Sequence, residues 1–132
     1  MKYFKAFVAG MILPAVIMPF LIAYFVLQGE ASAIGKLPLL YFGALLWGVW
    51  NVVFVITRKH VPIVDRNVKL GAYGVVYGLI SALVNSLLFE FTSVIPSFSD
   101  AFIIWAIIGY PILLYFAWKY VVNAFNLIFE VY

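Results

Sequence analysis

Residues 6–27 read AFVAGMILPAVIMPFLIAYFVL, a run with no charged side chain. As a helix it rises about 33 Å at about 1.5 Å per residue, enough to cross a hydrocarbon core of about 30 Å. Three further stretches have the same character: 37–57, 71–91 and 101–118. Between them lie Gln28-Gly29-Glu30, the polar run from Arg58 to Lys69, and Thr92-Ser93 through Pro96-Ser97-Phe98-Ser99-Asp100. The sequence therefore reads as an all-α integral membrane protein, a bundle of four transmembrane helices with short loops. One domain covers residues 1–132, with a C-terminal helical extension over 119–132.

Composition supports this reading. Hydrophobic residues make up 67% of the 132-residue chain and charged ones 10%, against about 45–50% and about 25% in soluble domains. A water-soluble fold of this size buries too little of its surface to hide so much apolar area. The net charge is +3 and the pI about 9.2. With only eight basic residues, this excess reads as a topology signal and not as a nucleic-acid surface. Cysteine is absent, which excludes disulfides, thiolate metal ligands and cysteine nucleophiles. Neither a metal nor another cofactor is expected.

Orientation follows from the cations. With the N-terminus inside, seven of the eight fall on the inner side: Lys2, Lys5, Arg58, Lys59, Arg66, Lys69 and Lys119. Lys36 alone falls outside. The positive-inside rule then puts both ends in the cytoplasm, with a bacterial inner (plasma) membrane as the default residence. Tyr3, Phe4, Tyr41, Phe42, Trp118 and Tyr120 stand near the expected interfaces. Lys2, Lys5 and Ala31-Ser32-Ala33 imitate a secretory signal. The apolar run is longer than the 7–15 residues usual for such a segment, so the first helix is expected to stay. No internal repeat relates the two helix pairs.

Small residues mark packing faces. On the third span Gly71, Gly74, Gly78 and Ala82 share a face with Asn85; on the second, Ala44 and Gly48 lead to Asn51. Such faces let membrane helices approach closely, within one molecule or between copies, and an amide then bonds across the contact. Asn51 and Asn85 sit on opposite sides of the midplane, so each needs its own partner. Pro14, Pro19 and Pro111 free carbonyls inside their helices, as structural kinks or as the lining of a central site. In the C-terminal stretch Lys119, Asn123, Asn126 and Glu130 recur at helical spacing. They form either the polar face of an interfacial helix or the continuation of the fourth span.

Three function classes remain open. The favoured one is a small transporter or channel, acting as a homo-oligomer on a small solute, ion or lipophilic molecule. Its site combines Trp47, Asn51, Ser81, Asn85 and Tyr110, with Glu90 as the ion-coupling acid. The alternative is an accessory or scaffold subunit of a larger membrane complex, docked through the inner loop and the C-terminal helix. The partners expected are membrane lipids, further copies, or that larger protein. Arg58, Lys59, Arg66 and Lys69 suit an anionic lipid or an acidic partner. A lipid-modifying enzyme using Asp65 and His60 has the thinnest support, because no catalytic constellation is visible.

Overall fold

A computed structural model describes residues 1–35, 38–88 and 100–132, and every regular element within them is helical. In chain order these are α1 (Lys2–Leu27), the short α2 (Ala31–Ile34), α3 (Pro38–Thr57) and α4 (Arg66–Leu88). Then come α5 (Asp100–Phe116), a π-helical segment (Ala117–Val122) and α6 (Asn123–Ile128). Three stretches are long and apolar enough to span a membrane: Lys2–Leu27, Arg66–Asn85 and Ile107–Ile128. The apolar part of α3, Phe42–Thr57, is shorter. Lys36 and Glu90 lie outside the described residues.

Two helix pairs carry most of the packing: α1 on α3, and α4 on α5 with its π-helical continuation. Small residues set both crossings. On α1 the buried face is Ala6, Ala9, Gly10 and Pro14. A β-carbon at Gly10 would stand 2.7 Å from the Trp47 carbonyl oxygen and 2.8 Å from Asn51 Cβ. On α4, β-carbons at Gly71, Gly74 and Gly78 would run into Tyr115, into Leu114 and Trp118, and into Pro111. The glycine face of α4 thus packs against α5 within one molecule and is not free for a second copy. Pro14, Pro19 and Pro111 are all accommodated inside continuous helix.

The two pairs meet differently. Between α3 and α4 the backbones stay apart and aromatic rings fill the gap. Phe54 meets Tyr73 at 5.1 Å between centroids, Trp50 meets Tyr77 at 5.8 Å and Trp47 meets Tyr77 at 5.9 Å. The Trp50 indole N–H donates to the Tyr73 carbonyl at 2.9 Å. Thr57 donates its hydroxyl proton to Val53 O, so the 2.6 Å contact between Thr57 Oγ1 and Tyr73 Oη runs with tyrosine as donor.

One boundary differs from the sequence reading, and of the two alternatives left open for the C-terminal stretch one is seen. Helix α4 begins at Arg66, five residues before Gly71, because Asp65 caps it: Oδ1 accepts from the Asn67 N–H at 2.7 Å and the Val68 N–H at 3.0 Å. Arg66 and Lys69 therefore belong to the first turn of a helix and not to a loop. At the other end, residues 119–128 continue the fourth helix without a break. Both α1 and α6 finish in the same turn. At Gly29, with φ 76°, the Gly29 N–H reaches Val26 O and the Glu30 N–H reaches Phe25 O. At Glu130, with φ 52°, the equivalent bonds run to Leu127 O and Asn126 O. That second turn folds Val131 back into the core, where it is fully buried.

These contacts separate the glycines. Gly10→Ala meets backbone atoms that cannot step aside and should cost about 1–3 kcal/mol. Gly43→Ala meets only the mobile end of Met18 (Cε at 2.9 Å) and should be nearly neutral. Unfolding of both variants by SDS titration in mixed micelles measures the difference.

Candidate functional site

Buried positions on the last helix recur at steps of four: Leu114, Trp118, Val122 and Asn126. At about 100° per residue each such step swings about 40°, which in a regular α-helix would carry Asn126 about 120° away from Leu114. The π-helical segment absorbs that drift. The Asn123 N–H reaches back five residues to Trp118 O, and the wider turn keeps all four side chains on one buried stripe. Asn126 is thereby aimed at the bundle axis.

Asn126 meets Asn51 of α3 in a reciprocal amide pair. Asn51 Nδ2 donates to Asn126 Oδ1 at 2.8 Å, and Asn126 Nδ2 donates to Asn51 Oδ1 at 3.1 Å. The second Asn51 proton goes to Ala6 O on α1 at 2.7 Å. Asn126 Nδ2 also donates to Tyr132 Oη at 3.3 Å, and Tyr132 donates onward to Asn123 Oδ1 at 2.9 Å. Asn123 Nδ2 completes the chain on Asn67 Oδ1 of α4 at 2.9 Å. Asn51 and Asn126 are wholly shut off from solvent. One polar network thus joins α1, α3, α4, α6 and the C-terminal turn.

Below it lies a basic rim. The guanidinium carbons of Arg58 and Arg66 stand 5.1 and 4.2 Å from the centroid of the Tyr132 ring. Lys69 Nζ donates to the Arg58 carbonyl at 2.8 Å. Lys59 and His60 are exposed. The Asp65 carboxyl titrates below its ordinary 3.8, chiefly because the Val68 and then the Asn67 backbone N–H bond to its charged form. That carboxylate serves as a helix cap, and it makes no contact with His60 that would constitute a catalytic pair.

Above the network sits an aromatic cluster of Trp47, Tyr77 and Trp118. Its centroids are 5.6 Å apart for the tryptophan pair and 6.3 Å for Tyr77 with Trp118. Trp118 is fully buried and its indole N–H has no partner. One turn beyond Tyr77, Ser81 Oγ donates to Tyr77 O at 2.8 Å and Tyr110 of α5 faces it. Asn85 Nδ2 donates to Ser81 O at 2.8 Å, while its buried Oδ1 has no partner.

The residues expected to share one central site are therefore divided. Trp47, Ser81 and Tyr110 gather around Tyr77. Asn51 is sealed into the inner network, Asn85 bonds its own helix, and Glu90 lies outside the described residues. Gly48 and Ala82 are buried and Ala44 half-buried, as packing residues are. Asn123 and Asn126, for which an interfacial polar face and a continuation of the fourth span were both open, point inward, because the π-helical turn rotates them there. Gly10, Tyr132 and Asn67 carried no sequence signal of their roles. No family model matches the chain, and no curated protein or solved structure is significantly similar to it.

Two measurements probe this site. Asn51→Leu leaves the buried Asn126 Oδ1 without its donor, removes the side-chain hydrogen bond to Ala6 O and should cost about 1–3 kcal/mol. The double replacement Asn51→Leu with Asn126→Leu should cost less than the two single changes added together, as a double-mutant cycle would show. The Asp65 cap adds a pH term. Its folded pKa is depressed, so the stability it contributes is fully present above about 3.8 and is lost as pH falls through the lower folded value. The melting temperatures of wild type and Asp65→Asn should therefore converge on acidification.

Proposed function

We propose that this chain is a four-span membrane protein with both ends cytoplasmic, resident by default in a bacterial inner membrane. We further propose that it works as a membrane-embedded scaffold, the accessory subunit of a larger complex. The four-span arrangement is supported by the four apolar stretches and by seven of eight cations falling on one side. A reporter placed after Tyr132 and another ahead of Met1 should both report the cytoplasm. Opposite sides would overturn the topology.

The scaffold reading rests on one observation: the polar valences of the Asn51–Asn126 network are committed to internal bonds. Asn51 uses both amide protons and its carbonyl within the network. Meanwhile large side chains stand exposed along the flanks, among them Phe20, Leu113, Phe116, Leu127 and Ile128. Lipid solvates such a surface, and so does a partner helix. Removing residues 119–132 would not test docking, since it deletes half of the amide network. Leu127→Ser with Ile128→Ser alters only the surface.

The chain should purify in mild detergent with one partner in fixed stoichiometry. The double serine variant should lose that partner while keeping its own melting temperature. Recovery of the wild-type chain alone would overturn the scaffold reading. A transport role has one observation in its favour, the unpartnered buried oxygen of Asn85. If that group and Glu90 carry an ion or proton, Asn85→Leu and Glu90→Gln should each abolish flux in proteoliposomes loaded with a pH-sensitive dye. Flux equal to wild type in both would remove this site.

A further inference from the structure

We infer that Arg58, Arg66 and the loop between them form a binding site for the phosphate headgroup of an anionic lipid. Both guanidinium groups converge on the Tyr132 ring, so their carbons lie at most about 9 Å apart, roughly one Debye length at physiological salt. Their repulsion is therefore only partly screened. Among the described residues the ion pair present is Lys5 with Glu130 at 3.5 Å, and no carboxylate pairs with either arginine. Asp65, next to Arg66 in sequence, directs its Oδ1 to the backbone of α4. Arg66 shares the N-terminal end of that helix with the Asp65 carboxylate, whose charge it feels at longer range than an ion pair. Tyr132 is held in place by its hydroxyl, bonded to Asn123 and Asn126, so the two planar forks are presented on a fixed platform. A phosphate monoanion accepts hydrogen bonds from guanidinium groups in this way.

The loop itself points to a lipid as the source of that phosphate. Between the cations run Val61-Pro62-Ile63-Val64, four apolar residues in an irregular segment. Val64 is 99% exposed, and Ile56 on the adjoining turn of α3 is 54% exposed. Apolar side chains flanked by Arg58, Lys59, Arg66 and Lys69 suit the boundary between headgroups and acyl chains. A site for free phosphate has no use for them. This inference rests on the inner-face placement proposed above, which the paired reporters decide independently of any binding measurement.

The test uses the full chain in a neutral maltoside micelle, titrated separately with dioctanoyl phosphatidylglycerol, dioctanoyl phosphatidylcholine and inorganic phosphate. Native mass spectrometry reads the bound fraction. Phosphatidylglycerol should bind on the order of tenfold more tightly than phosphatidylcholine, the scale expected of two cations at a membrane surface. Inorganic phosphate should bind far more weakly than either lipid. Arg58→Gln with Arg66→Gln should bring phosphatidylglycerol down to the phosphatidylcholine level. Arg58→Lys with Arg66→Lys, a milder change, should retain part of the preference. Val64→Ser should weaken the lipid and leave inorganic phosphate unaffected. Equal affinity of the wild-type chain for the two lipids overturns the proposal, and that comparison requires no variant to fold. Inorganic phosphate binding as tightly as phosphatidylglycerol would overturn the lipid assignment. Displacement of the lipid by a polyglutamate peptide of equal charge would assign the site to an acidic protein.

Discussion

The reciprocal amide pair between Asn51 and Asn126 is the constraint to which the surrounding half of the molecule answers. In a medium without water a primary amide has four valences to satisfy and few partners to choose from. Here three chain segments supply them, with Ala6 O and Tyr132 Oη completing the set. Asn126 can be reached from Asn51 only if the last helix turns it inward, and the π-helical segment accomplishes that. The same widened turn lays Trp118 over Gly74, so a β-carbon there would stand 2.8 Å from Trp118 Cγ. Amide pair, π-helical turn and glycine are thus consequences of one another.

Magnitudes decide how the work is divided. Interhelical hydrogen bonds in membranes contribute about 0.6 kcal/mol on average, and an aromatic pair about 0.5–1.5 kcal/mol beyond its area. Neither outweighs the close packing of two whole helices, where each contact is small and the number large. Backbone approach at Gly10 and Gly48, and at Gly71, Gly74 and Gly78, therefore makes the two hairpin-like pairs. The rings of Trp47, Trp50, Phe54, Tyr73 and Tyr77, together with the amides, fix how one pair sits on the other. Geometry rather than raw stability is what the polar network contributes. An amide placed one turn away would be left unpaired in an apolar interior, and misregistered arrangements are penalised on that account.

Sequence patterns carried the architecture unevenly. Apolar length and cation placement mark the helices, since both are averages over many residues and tolerate local surprises. The packing face of α4 was legible because glycine at steps of three and four has few other uses. Its counterpart on α1, Ala6-Ala9-Gly10, hid among so many apolar neighbours that no polar residue outlined it. Asn123 and Asn126 left two alternatives open for a different reason. A single helical period does not fit this stretch, because the π-helical turn breaks it between Ala117 and Val122. Steps of four at Leu114, Trp118, Val122 and Asn126 are the trace it leaves. Tyr132 was out of reach, because a left-handed residue at Glu130, where glycine would be the usual occupant, reverses the chain.

A conduction path through one molecule needs polar groups with unused valences in an unbroken line. Trp118 Nε1 and Asn85 Oδ1 are among the buried atoms of the described residues that lack a partner. Trp118 packs at the level of Gly74, and Asn85 lies eleven residues further along α4, about 16 Å away along the axis. In that interval Gly74 and Gly78 press α4 against Leu114 and Pro111, and Ser81 returns its proton to the carbonyl of Tyr77. The tightest helix contact in this half of the molecule therefore occupies the depth where a relay would have to run. Close packing and permeation compete for the same face of α4, and the glycines are placed for packing. Exposed apolar side chains stand on the flanks instead, and the Arg58 and Arg66 guanidinium groups lie at the rim against the Tyr132 ring.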